Sequence, residues 1–222
     1  MQGFPEFERI VDGVSTVAHT PGCFLCNPEP QWTWHASANF RAVLGLGPVV
    51  PGYTLIAARE HLPSMLDLDA DLADELREFT TEVRNELEGH WGPTVVGEHG
   101  RVAPCIASAA RRHEPHCLHA HRLVFPGHTK LDLRSSLPNV RVLAYESSVE
   151  AEGCSWSGQY LYVEDANRRC QVGLVQGPLP RQFLRAVVAR ARGQAELADW
   201  RRSPRPHELD AARRLLRSPL AA

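Results

Sequence analysis

Short runs of apolar residues bounded by glycine and proline dominate the first part of the chain. The segments FRAVLGLG (40–47) and YTLIAARE (53–60) are rich in branched and aromatic residues, and the segment PVVPG separates them. Runs of this length and composition, joined by a proline- and glycine-containing turn, are typical of paired strands. The pattern therefore predicts a β-hairpin over these residues.

The pattern changes to a helical period after Asp67. Apolar residues now recur every three or four positions and form one stripe, which predicts an amphipathic helix over 69–88. Asp67 or Asp69 can cap its start and Gly89 can end it. The stripe consists of Leu72, Leu76, Phe79, Val83 and Leu87.

The remaining chain predicts further strands and two more helices. Pro180 is expected to open a helix that Gly193 ends, because proline suits a first helical turn and glycine the residue after the last. A final short helix is expected from about Pro206 to Arg217. The predicted strands are 94–100, 119–126, 140–147, 159–165 and 170–176.

These elements favour the α+β class, with an antiparallel sheet and a packed helix. The helices fall between hairpin-like strand pairs and do not alternate regularly with single strands. Strand 119–126 is expected beside strand 53–60, with the 69–88 helix on one face of the sheet. A chain of 222 residues suits one core with an addition. The expected division is an irregular lead-in (1–22), a core (23–136) and a C-terminal extension packed on the core (137–222).

Composition and charge narrow the function. The formal net charge is -2, which argues against general nucleic-acid binding by phosphate neutralisation. The sequence predicts neither a secretory signal nor a membrane span, since the N-terminus lacks a basic, then apolar, pattern and no apolar run reaches 18 residues. Six cysteines without a signal favour a reducing cytoplasm, with thiols or metal ligands in place of disulfides.

The segment CFLC places Cys23 and Cys26 at the spacing of a zinc knuckle. A single such pair is equally compatible with a metal site, a redox pair or neither. A redox pair favours a helix start after a strand, whereas TPG before and NPEP after these cysteines indicate a loop. Zinc needs two more ligands, and we expect these to be imidazoles. His61, just after strand 53–60, is one candidate, and its alternative is an ordinary surface histidine.

The segment HCLHAHRLVFP (116–126) holds three histidines and a cysteine within six residues. On a strand, alternate residues share a face, so Cys117, His119 and His121 lie on one side and Leu123 continues it. His116 falls in the entry turn. Two histidines roughly 7 Å apart can divide the work, with one on a metal and the other a nucleophile. The alternative is a pair of hydrogen-bonded core histidines.

Taken together, these sequence segments resemble those of the histidine triad (HIT) superfamily of nucleotidyl hydrolases and transferases. CFLC, GPVVPGYTLIAAREHLPSM, VVGEHG and HCLHAHRLVFP occur in the order and spacing in which that family has its zinc cysteines, first hairpin, phosphate-side turn and triad strand. GQYLYV and PLPRQFLRAVVARARG are similar to the C-terminal extension of longer members. The resemblance covers most of residues 23–193, so 23–136 is read as a HIT-like core.

The resemblance implies a metal site and a nucleophile. In zinc-containing members the metal is held by residues that correspond to Cys23, Cys26, His61 and His119, in a closed structural site. The middle histidine of the triad is the family's nucleophile, which is His121 here. It would attack the phosphorus of a small nucleotide-like substrate and form a covalent nucleotidyl-histidine, which water or a second substrate resolves. A homodimer is also expected from the family.

Two positions depart from the family pattern. Leu123 stands at the third triad position, and Tyr53 stands where the first hairpin of relatives has a histidine. Neither replaces the lost imidazole. We therefore expect a nucleotidyl hydrolase or transferase with an atypical triad, acting on a phosphoester or phosphoramidate. The alternatives are a catalytically silent nucleotide-binding module and an enzyme of altered chemistry. The residues expected to bind substrate are Tyr53, His99, Arg111, Arg112 and His116, with a solvated loop as the alternative for both arginines.

Overall fold

A computed structural model of the chain defines its fold. Of the residues predicted to bind substrate, Arg111, Arg112 and His116 lie outside its described part, as does the expected lead-in, 1–22. The structure describes residues 23–101, 119–128, 130–136, 141–154, 158–177, 179–180 and 182–217.

The described chain is built on one eight-stranded antiparallel sheet with helices on its faces. This confirms the predicted α+β class. Along the sheet the strand order is β1-β2-β3-β5-β4-β7-β8-β6. The strands are β1 (Thr33–Ala36), β2 (Phe40–Leu44), β3 (Thr54–Ala58), β4 (Thr94–Gly100), β5 (His121–Pro126), β6 (Arg141–Tyr145), β7 (Tyr160–Glu164) and β8 (Cys170–Leu174).

The long helix α1 (Ala70–Trp91) packs on one face of this sheet, against β2, β4 and β5. Asp69 caps its start, since its side chain accepts a hydrogen bond from the backbone N–H of Leu72 at 2.9 Å. The expected stop at Gly89 is wrong, because the helix continues through that residue. Gly92 ends it instead, with a φ of 81° that favours glycine.

The four other helices in the described residues are short. Among them, α4 and α5 correspond to the two helices expected after residue 180. Helix α5 has the expected bounds, whereas α4 begins at Phe183 and not at Pro180. Gly193 follows α4 with a φ of 68°, as a helix-ending glycine does. The bounds are α2 (Leu133–Ser136), α3 (Ser148–Glu152), α4 (Phe183–Ala191) and α5 (Pro206–Arg217). None of the helices described is long and apolar enough to cross a membrane.

The sheet passes without a break from the N-terminal half of the chain into the C-terminal half. Strand β7 pairs with β4 along its whole length, from Val96 opposite Glu164 to Gly100 opposite Tyr160. Helix α4 lies on the face opposite α1, where Leu184 and Val188 share one apolar cluster with Phe125. Helix α5 returns to the α1 side, with its apolar residues in the cluster of that face. The C-terminal half of the chain therefore contributes to both apolar clusters.

A buried polar network joins the two halves beneath the α1 side of the sheet. Glu98 on β4 accepts hydrogen bonds from the hydroxyl of Tyr160 at 2.5 Å and the backbone N–H of Met65 at 2.8 Å. Burial raises the pKa of this carboxyl group, and Arg122 opposes that rise. Arg122 faces Glu98 from β5, and Glu152 of α3 completes its surroundings. A buried charge is tolerated when it is paired and hydrogen-bonded in this way.

Candidate functional site

Strand β5 presents its side chains alternately to the two faces of the sheet, as expected. Leu123 and Phe125 belong to the apolar cluster on the α4 side, whereas Val124 belongs to the cluster on the α1 side. His121 begins the strand and pairs with Ala57 of β3. It therefore lies on the α4 side, where the side chain of His119 also lies, close to Cys23 and Cys26 of the loop before β1.

The four residues expected to bind metal form one cluster. The ligand atoms of Cys23, Cys26, His61 and His119 all lie within 4.8 Å of one another. The Nδ1 atom of His119 is 3.5 Å from each sulfur, and the Nδ1 atom of His61 is 3.2 Å from the Cys26 sulfur. In a tetrahedral zinc site, Zn–S and Zn–N bonds of about 2.3 and 2.0–2.1 Å place sulfur and nitrogen about 3.6 Å apart. The cluster is compatible with zinc.

The ring of His119 is held in the orientation that a metal ligand needs. Its Nε2–H donates to the backbone carbonyl oxygen of Ala58 at 2.8 Å, so the lone pair lies on Nδ1, which points to the sulfurs. Metal-bound histidines commonly fix their tautomer through such a bond from the other nitrogen. The cysteine loop is also anchored, because Arg41 donates to the carbonyl oxygen of Cys26 at 3.1 Å. Donor chemistry and orientation thus both suit a metal ion.

His121 is held in the complementary tautomer. Its Nδ1–H donates to the backbone carbonyl oxygen of His119 at 2.8 Å, so its lone pair lies on Nε2. Burial is the main influence on the pKa of His121 and lowers it, which favours the neutral ring. A neutral imidazole with an oriented Nε2 lone pair is a competent nucleophile.

His99 lies beside His121 on the neighbouring strand. Glu98 pairs with Arg122, so the next pair in the antiparallel register is His99 and His121. Burial, and after it the neighbouring His121, lowers the pKa of His99 to about 4. The Nε2 atom of His99 is 2.6 Å from the side-chain amide nitrogen of Gln159, just before β7. The structure therefore brings the predicted residues His99 and His121 together and adds a third polar group.

Tyr53 lies in the apolar core of the α4 side and is 2% exposed. Its ring stacks on Phe125 with centroids 5.3 Å apart, and the Arg185 guanidinium lies 4.9 Å above it. Burial raises the pKa of Tyr53, so its hydroxyl stays protonated. These contacts fit a packing role. The predicted contact of Tyr53 with substrate stays a prediction.

Leu123 lies next to His121 along the same face, in apolar surroundings. It is 9% exposed and belongs to the same cluster as Leu184 of α4. Its cross-strand neighbours are Leu55 on β3 and Gly97 on β4. A Cβ atom on Gly97 would lie 3.0 Å from the Leu184 side chain, which leaves little free space there. The side chain of Leu123 is therefore part of the apolar packing of this face.

The sequence did not indicate that Gln159 lies beside His99. Its residue type is common on protein surfaces, and nothing nearby marks it as part of a site. The only available signal was its place two residues before Leu161, which the strand period assigns to the same face. The register that sets Leu161 opposite His99 depends on the pairing of two distant strands. That pairing is a tertiary property.

In comparisons with known proteins, the chain is similar to solved structures of histidine triad proteins. A zinc-bound histidine triad family protein from Mycobacterium smegmatis is 16% identical, with a TM-score of 0.35, and the match covers 46% of this chain and 70% of that one. A hypothetical histidine triad nucleotide-binding protein from Sulfolobus tokodaii strain7 is 13% identical, with a TM-score of 0.36, and covers 90% of this chain and 100% of its own.

A third similar structure is a Hit-like protein from Bartonella henselae, described as involved in cell-cycle regulation and as containing an unknown ligand. It is 11% identical, with a TM-score of 0.36, and the match covers 77% of this chain and 91% of that one. No protein-family model matches the chain, and no curated protein matches it. Similarity at this level assigns no activity, so the roles of individual residues rest on the side chains of this chain.

Proposed function

We propose that the protein is a nucleotidyl hydrolase or transferase in which His121 is the nucleophile. The substrate is a small nucleotide-like molecule with a phosphoester or phosphoramidate bond. The observation that carries this proposal is the hydrogen bond from His121 Nδ1 to the carbonyl oxygen of His119 at 2.8 Å. That bond places the lone pair on Nε2 of a ring that burial keeps neutral.

The proposed reaction proceeds in two displacements. The Nε2 lone pair of His121 forms a bond to phosphorus, and the bond from phosphorus to the leaving group breaks. The leaving group departs with that electron pair and takes a proton from solvent. Water, or a second substrate, then attacks the same phosphorus, the N–P bond breaks and its electron pair returns to Nε2. The proton of the attacking group passes to solvent. Dividing one difficult step into two easier ones is the benefit of covalent catalysis.

Zinc is the proposed metal at Cys23, Cys26, His61 and His119, with a structural role. Two thiolates and two imidazoles complete a tetrahedral shell, which leaves no position for substrate. The metal would bind the loop of Cys23 and Cys26 to the residues that flank β3 and β5. His119 would thereby be fixed, and its carbonyl oxygen is the acceptor that orients His121. The metal ligands would thus affect His121 by holding it in position.

A second candidate function is nucleotide binding without turnover. Leu123 favours it, because this side chain is nearly buried among apolar groups and offers no donor to a phosphoryl oxygen. A site with a nucleophile and no stabilising donors would bind a nucleotide and react slowly or not at all. Preorganised donors are usually among the largest contributions to such reactions. The two candidates differ in whether a covalent intermediate forms.

The proposed setting is a reducing cytoplasm, which keeps the cluster thiols available to metal. A homodimer remains part of the proposal, but the edge of β4 that faces away from β5 is not its interface. Strand β7 of the same chain pairs with β4 there. A second copy would have to use another surface.

The test is turnover of an adenosine 5′-phosphoramidate with an aryl-amine leaving group. We expect the parent protein to release the amine, and a rapid quench to trap an adenylyl group on the peptide that contains His121. His121→Ala should abolish both signals. His207→Ala is the matched control, since His207 is exposed on α5, and it should behave as the parent. AMP binding without amine release or adduct would establish the silent module instead.

A further inference from the structure

The α4 face of the sheet carries a compact group of polar side chains from three strands. His121 on β5 and His99 on β4 are neighbours in the antiparallel register. His99 is in turn paired with Leu161 on β7, and Gln159 lies two residues before Leu161 on the same face. Diagonal neighbours of this kind are roughly 7–8 Å apart at the backbone, within reach of long side chains. Gln159 uses that reach to meet His99.

The contact between Gln159 and His99 fixes the tautomer of the imidazole. The side-chain nitrogen of Gln159 carries only donors, so at 2.6 Å it donates to Nε2 of His99. Nε2 is then an acceptor, and the proton of the neutral ring lies on Nδ1. The lowered pKa of His99, about 4, agrees with a ring that stays neutral near pH 7. The result is an oriented Nδ1–H donor beside the nucleophile.

The backbone of Gln159 is itself held on both sides. Its carbonyl oxygen accepts from the backbone N–H of Val175 at 3.0 Å, which continues the β7–β8 ladder. The next residue, Tyr160, pairs with Gly100 of β4. The Tyr160 hydroxyl also bonds to Glu98, the residue before His99. The amide is therefore presented from a rigid strand start.

We propose that Gln159 is a positioning residue of the site, which holds His99 as a neutral donor to the phosphoryl oxygens of the substrate. This inference rests on the proposed function of His121. In this proposal His99 of the neighbouring strand, held by Gln159 of the C-terminal extension, supplies the donor that Leu123 cannot. The donor lies on β4 and not on β5, because α4 packs apolar side chains around Leu123.

A neutral imidazole donor stabilises charge and does not release its proton. A hydrogen bond from His99 to a non-bridging oxygen would lower the activation barrier. The leaving group takes its proton from solvent. Because the site supplies no acid, we expect a preference for weakly basic leaving groups, such as an aryl amine that solvent protonates as the P–N bond breaks. Each preorganised donor of this kind is worth about 10²–10³-fold in turnover.

The first test reads the His99 ring directly, by long-range nitrogen–proton NMR correlation of the full-length protein across pH 4–8. The parent should show His99 as the Nδ1–H tautomer. Gln159→Glu should convert it to an Nε2–H or fully protonated ring, because a carboxylate accepts and stabilises the imidazolium. Gln159→Leu removes the donor to Nε2 and should allow the Nε2–H tautomer to appear. An identical His99 tautomer and pKa in parent and both variants would overturn the proposal.

The second test measures turnover of the aryl-amine phosphoramidate. Gln159→Leu and Gln159→Glu should lower kcat by about 10²-fold, with a smaller change in KM. The matched control is Gln176→Leu, an exposed glutamine after β8, which should leave both constants unchanged. Unaltered kcat in both Gln159 variants overturns the positioning role. A parent without any turnover defeats the proposed function of His121, and the NMR result then still decides whether Gln159 sets the His99 tautomer.

Discussion

Arg122 donates a hydrogen bond from Nη2 to Glu152 Oε1 at 2.8 Å, and both side chains are buried. Arg122 belongs to the strand that presents His121, whereas Glu152 ends helix α3 in the C-terminal half of the chain. Arg77 of α1 binds the other oxygen of the same carboxylate at 2.6 Å. One carboxylate thus joins the strand of His121, the long helix and helix α3.

Replacing Glu152 by leucine should destabilise the fold strongly. Removing one partner of a buried ion pair leaves an uncompensated charge and costs about 3–5 kcal/mol. We expect a loss towards the lower end, because Glu98 remains 3.8 Å from Arg122. The measurement is urea unfolding. Glu146→Leu is the control, since Glu146 pairs with Arg169 in solvent, and such pairs are worth at most about 1 kcal/mol. Equal losses in the two variants would contradict the role of Glu152.

The purified protein should contain about one zinc per chain. Cys23→Ser should lose the metal and lower the free energy of unfolding, because binding energy of a structural site is folding energy. Cys154→Ser lies outside the cluster and should keep the metal. Metal analysis by mass spectrometry, followed by thermal unfolding, checks both. Protein purified without chelator or acid and free of zinc would refute the ligand set.

His99 should make stability depend on pH. Its folded pKa of about 4 lies below the ordinary value of 6.5, so folding favours the neutral ring. The stabilising contribution is complete above pH 6.5 and is lost as the pH falls from there towards 4, by up to about 3 kcal/mol. The parent should therefore lose more stability than His99→Asn between pH 7 and pH 4.5 in urea titrations. The comparison removes the effects of acid on the metal cluster, which both proteins share.

In that pH experiment, His207→Asn is the control for replacing a histidine at an exposed position of α5. A parent and a His99→Asn variant with parallel curves would show that His99 titrates normally in the folded chain.

Introducing an imidazole at position 123 should cost stability. Leu123→His puts a polar ring among apolar neighbours, and burying a polar group without a partner costs about 1–3 kcal/mol. Leu123→Met, which conserves volume, should cost less than about 1.5 kcal/mol. Melting temperatures measure the difference. If the histidine variant still folds, its rate on the phosphoramidate should rise, because the new ring supplies a donor. Equal stability of the two variants would show that the position has room and polar partners.

The sequence predicted the strands and helices whose patterns are local. Strand β4 and helix α5 have the expected bounds because glycine or proline marks both ends of β4 and the start of α5. Strand β1 was not expected, since its four residues show no clear alternation of apolar and polar side chains. In the structure three of them are half-buried and Ala36 is exposed. Its pairing with β2 and its contact with α5 form only after distant segments meet. Short edge elements of this kind have no signature of their own.

The same distinction between local patterns and tertiary contacts holds for the candidate site. Cys23, Cys26, His61 and His119 were grouped through motif spacing and family resemblance, and the fold brings their ligand atoms together. The hydrogen bond of Gln159 to His99 could not be anticipated, because it requires the register of β4 against β7. The apolar surroundings of Leu123 likewise come from α4, some sixty residues later in the chain.

The pairing of β4 with β7 has a consequence for how the protein responds to dilution. A site completed by a second subunit comes apart when the protein is dilute, since its assembly depends on concentration. Here Gln159 and His99 belong to one polypeptide, and their encounter is intramolecular, with an effective concentration that dilution does not change. The specific activity of this protein should then be the same at nanomolar and micromolar enzyme. Such a site can work in a cell at a few copies.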